Sequence, residues 1–478
     1  MKHLHIILFI LPLIGFGQIW EQNYSLDIVD VSSGRGKSVQ QTSDGGFIIT
    51  GSTGPLFDPC PPSLGTALPP MFEVGIFLLK TDENGEEQWF QTYEDTVPFW
   101  LEEFNIITPQ FGMFVQQTTD GGYIIFGSRV IKTDENGDLM WSFEYDEFIK
   151  YNNGKQTIDG GYISVGEVLN SNNFENQWDL FIRKITENGE IAWTETLGGV
   201  ENFEFGVEIH QTFDNGYIVC GHIGTPPFNS VDIIKFNEYG DTLWTKNYTY
   251  GNGVSSIKPT TDGGFIILTN PDIWNDLNQD GVYSADEIVS NIQLYKTNQN
   301  GEEEWSVIID NLEPEAGRFI EQTNEGGYII VGTNNIYEGV DLWNNPQYSH
   351  HSILVKVDQF GNLEWRNEYQ EGVGNWVQQT NDGGYVFTGF SYETELFNCS
   401  YPFFDTDDFQ SDIESIYLVR TDGQGNITST IELPTSTSKR ELIKKINILG
   451  QENTTIKNQP MIEIYDDGST EKKIVLEK

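Results

Sequence analysis

Apolar residues in this chain come in short runs of about four, bounded by Gly, Asp and Asn. Phe47–Thr50, Tyr123–Phe126, Tyr162–Val165, Tyr217–Cys220, Phe265–Leu268, Tyr328–Val331 and Tyr385–Thr388 are apolar nearly without alternation. Strands with that pattern need both faces covered. Each run follows an Asp-Gly-Gly-aromatic turn or a close variant, beginning at Asp44, Asp120, Asp159, Asp214, Asp262, Glu325 and Asp382. Each is followed by a basic residue, then Asp/Asn-x-x-Gly, and usually a Trp four residues after that Gly.

In the most compact copy, Phe114 to Tyr145, the pattern predicts an extended run to Thr118 and a hairpin at Asp120-Gly121-Gly122. A second strand covers Tyr123–Phe126, a third Arg129–Thr133 and a fourth Leu139–Tyr145, with a turn at Asp134–Gly137. A four-stranded meander of this size cannot bury a core alone, so the seven copies must pack on one another. Sheets stacked face to face around an axis meet that demand, and the expected fold is all-β, a seven-bladed β-propeller.

Trp89, Trp141, Trp193, Trp244, Trp305 and Trp365 stand four residues after Gly85, Gly137, Gly189, Gly240, Gly301 and Gly361. One buried indole removes roughly 150–250 Å² from water, so six wedged between sheets are expected to dominate the core. The seventh copy has Ser429 at that position, while an unmatched Trp20 lies in Ile19–Tyr24. Either that N-terminal segment completes the last blade or Ile427–Leu433 closes it, and the unmatched Trp favours the first. The seven basic residues at one repeated position (Lys80, Lys132, Lys184, Lys235, Lys296, Lys356 and Arg420) read as structural partners of turn carboxylates.

The division expected from the sequence is a signal peptide at 1–17, the propeller at 18–434, a Ser/Thr-rich linker at 435–438 and a small β module at 439–478. Lys2 and His3 precede an apolar stretch from Ile6 to Ile14, too short to span a bilayer, and no other run predicts a membrane span. Net charge is −46, with 65 Asp/Glu against 17 Lys/Arg between Gln18 and Pro434, which excludes nucleic acid and anionic lipid as partners. Of three cysteines, Cys220 sits in an apolar run as a free, packed thiol. Cys60 and Cys399 fall in loops of the first and seventh copies, neighbours in a closed ring, and are expected to form a disulfide in an oxidising compartment.

Long insertions between the second and third strands, at Ser52–Val74, Asn270–Ser290, Asn334–His351 and Ser391–Asp412, share one end of the ring, where binding is expected. In the fifth copy, Asp276, Asn278, Asp280, the Val282 carbonyl, Ser284 and Glu287 occupy positions 1, 3, 5, 7, 9 and 12 of an EF-hand-type loop, with Gly281 at position 6. That spacing predicts one Ca²⁺ that rigidifies the loop. Trp274, Trp343, Tyr348, Tyr401, Phe403 and Asp405 gather aromatic faces and a carboxylate on the same end, suited to sugar rings; they equally suit loops packed on each other. Adjacent His350 and His351 should point apart. No nucleophile elbow, phosphate loop or zinc-protease helix motif appears, and no catalytic residue is assigned.

The phrases QQTTDGGYIIFG and VIKTDENGDLMW resemble secreted bacterial and archaeal propeller repeats, over about residues 19–433. The D-x-x-G-x-x-x-W element also resembles the docking motif of quinoprotein-type propellers, without the vicinal cysteines of their alcohol dehydrogenases, so fold is implied and redox chemistry is not. The tail, with Ile446-Asn447-Ile448-Leu449-Gly450 and Ile464-Tyr465-Asp466-Asp467-Gly468, is similar to type A-like sorting domains of the type IX secretion system in Bacteroidetes. That resemblance implies export through the periplasm and type IX machinery to the medium or outer cell surface. The expected function is a secreted or cell-surface module binding a glycan or protein; the alternative is an extracellular polysaccharide-degrading enzyme acting on the long-loop face.

Overall fold

The computed structural model describes residues 19–24, 31–55, 75–93, 112–143, 149–170, 177–198, 203–224, 231–248, 254–274, 288–309, 315–340, 346–397, 409–427, 442–447, 460–465 and 470–474. Two compact units are present, 1–427 and 428–478. In the second, Leu442–Asn447, Pro460–Tyr465 and Thr470–Ile474 form a three-stranded antiparallel sheet.

The first unit is a seven-bladed β-propeller of four-stranded antiparallel meanders. In the second blade the strands are Gly112–Gln117, Tyr123–Gly127, Val130–Thr133 and Leu139–Ser142. The first strand of each blade touches that of the next, and the cycle returns from the seventh blade to Val31–Gln41, so these strands enclose the axis. Blades six and seven share one 17-residue strand, Leu363–Gln379, outermost in one and innermost in the other. The ring is closed by Trp20–Tyr24, paired antiparallel with Phe409–Thr421 as the fourth strand of blade seven.

Local chemistry repeats from blade to blade. The residue after each turn acid takes the left-handed region, with φ from 83° to 93° at six glycines and 63° at Asn215, a residue type that tolerates it. The basic residue of the third strand lies opposite the Trp of the fourth. It is buried and reaches the turn acid: Lys80–Asp44 and Lys132–Asp120 at 2.9 Å, Lys235–Asp214 at 3.0 Å, Arg420–Asp382 at 2.8 Å. In blade six, where Glu325 replaces the turn Asp, Lys356 pairs instead with Glu364 at 2.9 Å.

The indoles differ from expectation. They are only partly buried, and the core consists of the second and third strands, such as Ile48, Ile76, Leu78, Ile125 and Ile131 between blades one and two. Each Trp instead ties its blade to the next: Trp89 lies edge-on to Tyr123 at 5.9 Å between centroids and covers Gly137, and Tyr93 donates a hydrogen bond to the Gly137 carbonyl at 2.6 Å. Two long insertions expected as loops are largely sheet. Tyr328–Val340 pairs with Pro346–Val357, and Tyr385–Phe397 with Phe409–Thr421, as ribbons continuing the blades.

Candidate functional site

All seven innermost strands carry a register shift at the same place, between Gly36 and Ser38, Gly112 and Phe114, Tyr151 and Asn153, Gly206 and Glu208, Val254 and Ser256, Gly317 and Phe319, and Gly374 and Trp376. A bulge re-aims the side chains that follow it. Two positions beyond it stands a residue whose chemistry changes around the ring: Gln40, Gln116, Lys155, His210, Lys258, Glu321 and Gln378.

Four of these residues serve the ring itself. The side-chain oxygen of Gln378 accepts from the Gln41 amide at 2.7 Å, Gln40 from the Gln117 amide at 2.6 Å, and Gln116 from the Gln156 amide at 2.8 Å. The Glu321 carboxylate accepts from the Gln379 amide in the same way. Each thus satisfies a backbone donor of the next blade near the axis. Lys155 and Lys258 have no acceptor to offer, and the amide that His210 would serve is missing because the next blade has Pro259 there. Three consecutive blades have dropped out of the capping ring, and their side chains enter the channel.

There they join Glu208 in a cluster of ionisable groups against three aromatic rings, with Lys258 and Glu208 buried and Lys155 and His210 half-buried. Lys258 pairs with Glu208, and Glu208 also receives His210 Nε2 at 3.0 Å, the Ile257 amide at 2.9 Å and the Ser256 hydroxyl at 2.7 Å. Lys258 Nζ sits 3.6 Å from the centroid of Phe319, which is stacked on Trp376 at 3.5 Å. Lys155 Nζ sits 3.8 Å from the Phe114 centroid and 5.4 Å from that of Trp376. Burial would raise the Glu208 carboxyl, but Lys258 and His210 outweigh it and hold it far below the usual range. Burial, then the charge of Lys258, lowers His210 to about 4 and Lys155 to about 7. Burial raises Glu321 to about 7 against the pull of both lysines.

Lys155, His210, Lys258, Glu321 and the rings of Phe114, Phe319 and Trp376 line a cavity of about 420 Å³, within the range of small-molecule sites. It lies toward the short-turn end of the channel, since Lys155 is four residues before Asp159 of its turn. Larger clefts of about 670 Å³ beside Trp193 and about 780 Å³ beside Trp365 are lined by equivalent residues of different blades, including Lys184 and Lys356, and so belong to the repeat.

Of the residues expected from sequence to bind, Asp276, Asn278, Asp280, Val282, Ser284, Glu287, Trp343, Tyr401, Phe403 and Asp405 lie outside the described residues, as do Cys60 and Cys399. Trp274 ends the strand Asp272–Trp274, and Tyr348 pairs with Tyr337 across the blade-six ribbon. His350 and His351 take separate partners, Asn335 at 2.7 Å and Glu368 at 2.6 Å. Cys220 is a free buried thiol, its pKa raised by burial. Among the described residues no group of three or more His, Cys, Asp or Glu is placed to hold a metal.

No protein-family model matches the chain, and no curated protein matches it. Solved structures similar to it include a streptogramin B lyase (12% identity, 78% of this chain and 95% of that one, TM-score 0.46). A cobalt-substituted apocarotenoid oxygenase from Synechocystis (12%, 87% and 93%, TM-score 0.45) and a Bacteroides caccae protein of unknown function (14%, 62% and 90%, TM-score 0.37) are others.

Proposed function

We propose that this β-propeller is a ligand-binding module whose small-molecule site is the axial cavity. One observation carries the reading: three neighbouring blades give up a capping contact that four others keep, and place Lys155, His210 and Lys258 in a channel beside Phe114, Phe319 and Trp376. Perturbed ionisable groups in a concave site are the signature of a binding or catalytic function. The geometry favours binding, because Glu208 is fully engaged with Lys258, His210, Ile257 and Ser256 and so is poorly placed to move a proton.

The sequence supports three further parts of the proposal: export by the N-terminal leader and type IX sorting tail, a Ca²⁺-stabilised loop at Asp276–Glu287, and recognition of a glycan or protein by the long-loop end. The leading test is a thermal-shift screen of small metabolites together with a glycan array, using the full chain and Trp376→Ala. Ligands lost in Trp376→Ala support the axial site. Ligands bound equally by both proteins move recognition to the long-loop end.

A further inference from the structure

We propose that the axial cavity takes a small organic acid that also carries a hydrogen-bond donor, the class of amino and hydroxy acids. Its carboxylate would lie on Lys155, its donor on Glu321 and its hydrocarbon part against Trp376. The inference rests on the axial cavity being a binding site and names what that site would select.

Two groups of opposite charge face this space, each within the other's field, and both keep hydrogen-bonding capacity that the fold does not use. The Lys155 ammonium interacts with the faces of Phe114 and Trp376. A cation over a ring uses its charge but leaves N–H donors without acceptors. Glu321 Oε2 is buried and has no hydrogen-bond partner. An unmet buried polar group destabilises the fold, and native proteins retain few of them. The other ionisable groups on the axis are accounted for: the Lys258 ammonium and the His210 ring are both held by Glu208. Selection by charge therefore falls to Lys155 and Glu321.

Ligand classes separate on these terms. A neutral sugar offers hydroxyls to both groups but adds no charge to the pull of Glu208 and Glu321 on the ammonium. A dicarboxylate would set a second anion beside Glu321, and a simple amine would meet Lys155 and Lys258. An acid with a hydroxyl or ammonium at its other end meets both needs at once. The apolar wall of Phe114, Phe319 and Trp376 accommodates its carbon skeleton. Titration agrees with this assignment: with Lys155 and Glu321 both near 7, among Lys258, His210 and Glu208, an anion arriving at Lys155 draws a proton onto it and a donor arriving at Glu321 favours its ionised form.

The experiment is calorimetric titration of the full chain at pH 7 with L-lactate, glycine, L-phenylalanine, acetate, propylamine and D-glucose. At least one of the first three should bind with one site per chain and at least tenfold more tightly than acetate or propylamine. Lys155→Met should weaken that ligand at least tenfold, Lys155→Arg by no more than about threefold, and Glu321→Leu at least tenfold. Because Glu321 also caps the Gln379 amide, its variant loses that contact as well; the Lys155 pair decides the case without it, since that ammonium touches the fold through the faces of Phe114 and Trp376 and caps no backbone amide. Acid binding unchanged in Lys155→Met overturns the proposal, as does the absence of any acid binding. Glucose binding that is lost in Trp376→Ala but indifferent to Lys155 overturns the ligand class and leaves the axial site standing. If glycans bind the full chain and no ligand responds to any axial variant, the axial reading itself falls.

Discussion

Trp20 lies opposite Arg420 across an antiparallel strand pair, in the register in which Trp89 faces Lys80 and Trp141 faces Lys132. Its indole is edge-on to Phe47 at 5.6 Å and donates to the Glu83 carbonyl at 3.2 Å, while Tyr24 donates to the Gly85 carbonyl at 2.5 Å. The N-terminal strand therefore supplies to blade one what each fourth strand supplies to the following blade. Deleting residues 18–25 should lower Tm by more than 5 °C and expose the edge of Phe409–Thr421, and Trp20→Ala should cost about 2–4 kcal/mol. Thermal unfolding checks this; an unchanged Tm would mean that the ring closes through residues 427–433.

Glycines of two turn types should respond differently to a methyl group. At Gly137, φ is 83° and an added Cβ would stand 2.8 Å from the Trp89 ring; at Gly263, φ is 88° and nothing lies within 4 Å. Gly263→Ala carries only the left-handed backbone cost of about 1–2 kcal/mol. Gly137→Ala adds displacement of the indole and should cost about 1–3 kcal/mol more. Denaturant unfolding of the two variants measures the difference directly.

The buried lysines should be asymmetric with their partners. Lys132 is almost fully buried while Asp120 is half exposed. Asp120→Ala strands a buried ammonium that retains only the Thr133 carbonyl at 2.7 Å and Met140 Sδ at 3.8 Å, and should cost about 3 kcal/mol. Lys132→Met removes the charge and keeps the volume, so it should cost less than half as much. A double-mutant cycle by chemical unfolding tests the order.

Lys155 should shape the stability profile at alkaline pH. Burial and Lys258 lower it to about 7 from 10.5, so between those values the unfolded chain binds more protons than the native one. Its contribution to stability therefore rises with pH across that window. Relative to wild type, Lys155→Met should be more stable by about 1–3 kcal/mol at pH 6–7, and the gain should fade toward pH 10.5. Tm measured for both proteins from pH 6 to 10 gives the sign.

The Ca²⁺ proposal has its own check. Calorimetry on the full chain should show one site of about 10⁻⁴–10⁻³ M, lost in Glu287→Ala.

Fold class was legible before any coordinates because a repeated turn chemistry with doubly covered strands allows few architectures. Asp-Gly-Gly turns, the Trp column and the unmatched Trp20 are local signals, each set by backbone conformation or strand period within about thirty residues, and they specify the blade, the number of blades and the strand left over at the N terminus. The axial cavity was not legible in that way. Its only trace in the chain is that the residue two places before each turn Thr changes chemistry, Gln40 and Gln116 giving way to Lys155, His210 and Lys258. What that change means depends on a bulge present in every inner strand and on the amide of the neighbouring blade, residues 40 to 340 positions apart in sequence. The sequence alone determined the repeating unit, because turns and apolar runs act over short range; the tertiary structure alone decided which unlike residues meet on the axis, because only closure of the ring brings seven distant strands within hydrogen-bonding reach.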